Sequence, residues 1–131
     1  MVMNATVPAL SLGVLVGDID ASLHFYRDVL GLEKVAEVAL PFGKMHRLMF
    51  GQSAIKLVEA KKSIAAGAVG IEGALGFRYI TFEVSNLTEV DAACTAAGLP
   101  VELPLQELLP GLMVLMLRDP DGNIVEILQR L

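Results

Sequence analysis

RDPDGNIVEILQR (118–130) carries a polar five-residue turn, DPDGN, followed by an apolar stretch. LMVLMLR (112–118) precedes the turn, so the region reads as strand, tight turn, strand. In the second strand, Ile124, Glu126 and Leu128 share one face, while Val125 and Ile127 take the other. A single carboxylate, Glu126, interrupts the apolar residues. It is a metal ligand, a catalytic base or a polar residue on a wet face, and the functional reading turns on which.

Working outward, the same grammar recurs earlier in the chain. HRLMFGQSAIKLVEA (46–60) also reads as strand, turn, strand. The stretch SLGVLVGDIDASLHFYRDVLGL (11–32) begins with alternating residues, then an acidic turn, a helical pattern and Gly31. RYITFEVSNLTEVDAACTAAGL (78–99) repeats it, with Asn86 in place of Asp18 and Gly98 in place of Gly31. Each half is therefore β-α-β-β, with a short extra strand expected near 34–40 and 100–103. Asp20 and Thr88 are the expected helix caps, and Gly98 the left-handed stop. Leu23, Tyr26 and Leu30 fall on one helix face, with Phe25 and Val29 beside it. The glycine- and alanine-rich stretch 61–76 is expected as a mobile linker between module 1, about 8–60, and module 2, about 77–131.

The composition narrows the function. With 131 residues the chain suits one domain, or two small halves sharing a core. A net charge of −5, with ten scattered basic residues, argues against nucleic-acid or anionic-membrane partners. The longest greasy stretch, LLPGLMVLML (108–117), is too short to span a bilayer, and the N-terminus shows no signal-peptide pattern. Cys94 is the lone cysteine, so no internal disulfide forms, and a cytoplasmic protein is expected. In an alanine-rich helix it reads as a packing residue. The 54% apolar composition and a mean hydropathy of +0.61 lead us to expect a homodimer.

Strand alternation also says which side chains face away from the helices. Leu12, Val14 and Val16 pack under the first helix, leaving Ser11, Gly13 and Leu15 on the far face. Ile80, Phe82 and Val84 pack under the second, leaving Tyr79, Thr81 and Glu83. If each half-sheet curls, the far face encloses a cavity lined by Ser11, Lys56, Tyr79 and Glu126. Met45, Met49, Phe50, Met113 and Met116 supply pliable apolar surface near it. His46 is expected at an exposed strand end, and Lys61-Lys62 as a solvated loop.

GDIDASLHFYRDVLGLE (17–33) and DPDGNIVEI (119–127), set in paired βαβββ modules, resemble the vicinal-oxygen-chelate superfamily. That group includes glyoxalase I, extradiol dioxygenases, methylmalonyl-CoA epimerase and bleomycin-resistance proteins. The resemblance implies an α+β fold of two tandem βαβββ modules curling around a small-molecule cavity. In metal-using relatives a divalent ion is held by His, Gln or Glu from the first and last strands of each module. Those places hold Ser11, Lys56, Tyr79 and Glu126 here, and Glu126 alone matches. A hydroxyl and a phenol are poor ligands for such ions, and an ammonium repels them. Neither His24 nor His46 falls at a matching place for dioxygenase chemistry.

The resemblance therefore implies a metal-free small-molecule-binding protein with no cofactor. Ser11, Lys56, Tyr79, Thr81, Glu83, Met49, Met113 and Glu126 are its candidate ligand-binding residues. Lys56 and Glu126 are expected to form an ion pair where the metal would have been. The acidic balance favours a neutral or cationic ligand. The alternative is a glyoxalase-like lyase or an isomerase or epimerase. Glu126 is then the base that moves a proton next to a carbonyl, and Tyr79 or Lys56 stabilises the enolate oxygen. A metal-dependent dioxygenase is the least favoured reading.

Overall fold

A computed structural model describes residues 2–131, in two compact units, the first reaching Ile64 and the second Ala65–Leu131. Each unit is a four-stranded mixed sheet with helix on one side. In the first, β1 (Ser11–Val16) leads into α1 (Ile19–Leu23) and a π-helical continuation (His24–Val29). β2 (Glu33–Leu40), β3 (Gly43–Phe50) and β4 (Ser53–Ala60) follow. The second repeats the order with β5 (Tyr79–Glu83), α2 (Leu87–Ala96), β6 (Val101–Leu109), β7 (Leu112–Arg118) and β8 (Ile124–Arg130). The strand orders are β1-β4-β3-β2 and β5-β8-β7-β6. In each, the first strand pairs parallel with the last and the remaining pairs are antiparallel.

The extra strands exist and are longer than expected. β6 extends through Pro104 because it lies at a sheet edge, where the missing N–H interrupts no second ladder. It follows β7 with three register irregularities. Residues 61–76 contain neither helix nor strand.

Both helix caps differ from expectation. Asp18, not Asp20, caps α1: its Oδ1 accepts from the N–H of Asp20 at 3.0 Å and of Ala21 at 3.2 Å. A capping side chain must stand on extended backbone just before the helix, and Asp18 has φ −139° while Asp20 is already helical. Thr88 likewise lies inside α2, whose cap position is Asn86. There the cap is tertiary: Gln129 of β8 accepts from the Leu87 N–H at 3.0 Å and donates to the Ser85 carbonyl at 3.0 Å. The left-handed stop at Gly98 is as expected, with φ +67°.

The helix after β1 widens into i→i+5 spacing, as in the bond from the Leu30 N–H to the Phe25 carbonyl. Phe25 and Tyr26, neighbours in sequence, are both buried there, with ring centroids 4.7 Å apart in an edge-on arrangement.

The DPDGN turn builds itself. Buried Asp119 accepts from the N–H groups of Asp121 (2.9 Å) and Asn123 (2.8 Å), and from the Asn123 side-chain amide (3.0 Å). Gly122 completes it at φ +86°, and a side chain there would also collide with Val69. Asp119 is thus committed to the turn, which fixes Arg118 opposite Ile124 and, two steps on, Met116 opposite Glu126.

Candidate functional site

In the second unit the helix marks which face is which. Gln129, which caps α2, shares its side of β8 with Val125 and Ile127. Glu126 therefore lies on the far face, between Thr81 of β5 and Met116 of β7. It is a buried charged residue, and the Thr81 hydroxyl donates to its Oε1 at 2.7 Å. Tyr79 is on the same face but pairs with Ile124, one step along the strand, and is 56% exposed. Glu83 is on that face too, tied at its exposed edge to Arg130 (2.9 Å).

Met113 is not where the sequence put it. It pairs with Gln129, so it shares the helix-covered face rather than the face of Glu126. Met116 is the methionine beside the carboxylate.

In the first unit, register puts Gly13, Lys56 and Arg47 in one row across β1, β4 and β3. Ser11 is one step back on the same face, opposite Ala54, and is exposed. Met49 and Met45 share this face, opposite Ala54 and Val58. Phe50 falls on the other face, opposite Ser53. Arg47, outside the expected site residues, faces Lys56 across the hairpin closed by the tight FGQS turn (50–53).

His46 was expected at an exposed strand end, yet it is buried within β3. Its Nε2 is 3.4 Å from Glu59 and its Nδ1 3.6 Å from Glu37, so two exposed carboxylates bracket the ring. The ring belongs to the face of Leu48, opposite Leu57, and both of those leucines are fully buried. Nearby, an open groove of about 540 Å³ is lined by Glu37, Leu40, Lys44, Glu59 and Lys61 among others. Its Glu37 and Lys44 are already paired at 3.1 Å, and none of the far-face candidates lines it.

The donor set does not fit a divalent ion. In the first unit the ligand places offer a serine hydroxyl and a lysine, with a guanidinium directly across from the lysine. In the second they offer a phenol and Glu126, one of whose oxygens already accepts from Thr81. A hydroxyl beside two cations in the first unit, and a phenol with one engaged carboxylate in the second, are each a poor ligand set for Zn²⁺, Ni²⁺ or Fe²⁺. Cys94 adds no ligand or nucleophile: it is buried in α2, where burial first, and then the charge of Asp91, pushes the thiol up to about 11.

Against known proteins, residues 9–127 match the family model described as the Glyoxalase/Bleomycin resistance protein/Dioxygenase superfamily. No curated protein sequence matches significantly. Among solved structures, a lactoylglutathione lyase from Agrobacterium tumefaciens is 27% identical, with a TM-score of 0.66 over 92% of this chain and 91% of that one. TnmS3, an antibiotic-binding protein from Streptomyces sp. CB03234, is 18% identical, with a TM-score of 0.74 over 98% and 100%. A glyoxylase/bleomycin resistance protein/dioxygenase domain from Frankia sp. EAN1pec is 22% identical, with a TM-score of 0.76 over 98% and 94%.

Proposed function

Because the chain belongs to the Glyoxalase/Bleomycin resistance protein/Dioxygenase superfamily, we propose that it is a small-molecule-binding protein working without the divalent ion of its metal-using relatives. The observation that carries this is the exchange at the four ligand places, which leaves Glu126 as the sole carboxylate, held by Thr81. A polar anchor amid Ile124, Leu128 and Met116 suits an organic ligand with one hydrogen-bonding group. The fold shared with an antibiotic-binding protein supports the same reading. The reading includes a homodimer and a cytoplasmic setting, the latter because the one cysteine is free and buried.

Metal analysis of the purified protein tests the first half. We expect far less than one ion per chain, and a stoichiometric, tightly held ion refutes the proposal. The Glu126→Gln variant tests the second. For a binder it lowers ligand affinity by about tenfold, roughly 1.4 kcal/mol, without touching any turnover.

A second reading draws on one observation, the Thr81–Glu126 bond. By fixing Oε1 it orients the carboxylate, as a general base next to a carbonyl requires. Tyr79, on the same face, would then steady an enolate oxygen. The likeness to a lactoylglutathione lyase supports this lyase or isomerase alternative. Turnover of an α-hydroxycarbonyl or thioester substrate by the native chain, lost in Glu126→Gln, would favour it over simple binding.

A further inference from the structure

The chain as a whole is acidic, at −5, but the far face of the first sheet is locally basic. Arg47 and Lys56 are directly opposed across β3 and β4, and both are half-buried. Opposed residues in such a pair have Cβ atoms about 5 Å apart, and like charges there repel. A sheet normally answers such a pair with an acid. Here the acids of the unit are employed elsewhere: Asp28 with Arg27, Glu37 with Lys34 and Lys44, Glu59 beside His46, and Asp18 at the helix cap. Asp20 lies in the first turn of α1. Glu33 is on the same face, exposed opposite Met49. Among the described residues of this unit, no ion pair joins it or any other acid to Arg47 or Lys56.

The third member of the row is Gly13, and a side chain there would meet nothing within 4 Å. Lys56 therefore borders open space above bare backbone on one side and Arg47 on the other. Met45, Met49, Val58 and Leu15 surround them on that face.

We infer that this row is an anion subsite that takes the carboxylate of an amphipathic small molecule. The guanidinium of Arg47 presents paired N–H donors that match a carboxylate, and the Lys56 ammonium supplies a second point charge. The apolar body of the ligand lies along the accessible Met49 and Leu15, where a pliable thioether adapts to its shape. A single carboxylate suits one guanidinium and one ammonium better than a polyphosphate does. The inference rests on the small-molecule-binding reading and narrows its ligand class, against the neutral or cationic ligand that net charge suggested.

The test titrates the full chain with octanoate, octanol and octylamine, read by calorimetry and by amide chemical shifts. Octanoate should bind at least tenfold tighter than the other two, shifting Gly13, Arg47 and Lys56. Arg47→Gln and Lys56→Gln should each weaken octanoate tenfold or more and leave octanol unchanged, while Lys56→Arg retains binding. Removing one of two repelling cations should leave the melting temperature equal or higher, so the variants stay folded. Were they to unfold, the octanoate-to-octanol ratio on the native chain still decides the matter. Octanol or octylamine binding as tightly as octanoate overturns the subsite and spares the binding reading, as does octanoate binding untouched by either variant. If none of the three binds, the subsite fails. If a broad thermal-shift library also yields no ligand, the binding reading fails with it.

Discussion

Glu37 shows how individual charges are managed on this chain. Its carboxylate accepts a hydrogen bond from Lys34 and lies 3.1 Å from Lys44, and these contacts hold it down to about 2. A carboxyl whose folded-state value lies below its unfolded one favours the folded state once it is ionised. Its contribution is complete above the ordinary value of 4.5 and is lost as pH falls towards 2. Acid unfolding followed by circular dichroism should therefore be less steep in Glu37→Gln between those values. Added salt should shrink the difference, since the pair is exposed. Glu126 is managed differently, by a neutral hydroxyl rather than a cation of its own unit.

Among elements, the two helix starts make an instructive pair. The first is capped locally by Asp18, so Asp18→Ala should cost about 1 kcal/mol in denaturant unfolding. The second borrows Gln129 from a strand more than forty residues away. The Asp18 cap is partly legible in the sequence, because the acidic turn before the helix holds two aspartates, Asp18 and Asp20, and local pattern does not choose between them. The Gln129 cap is not, because nothing near α2 in sequence announces it. The same division holds for the π-helical segment, where burying both Phe25 and Tyr26 prevails over regular α spacing.

For the whole molecule, apolar side chains left exposed in both units, among them Leu10, Phe42, Phe77 and Leu109, support the proposed homodimer. Sedimentation equilibrium should return twice the chain mass of 14.0 kDa, and a single-chain mass at micromolar concentration would count against it.

The two rhyming halves, the family and the far face were all legible from local pattern. Alternation assigns each strand residue to one of two faces, and a tight turn locks the register of the hairpin it joins. In the folded chain DPDGN sets Met116, rather than the expected Met113, against Glu126, and FGQS sets Arg47 against Lys56. Alternation alone is blind to a slip of two residues, which leaves every side chain on its original face. The parallel pairings of β1 with β4 and β5 with β8 have no turn to lock them, since a helix and two strands intervene. The sequence therefore established that Tyr79 and Glu126 share a face. It took the packed sheet and its helix to put Thr81, rather than Tyr79, against the carboxylate, and Gly13, rather than Ser11, beside Lys56.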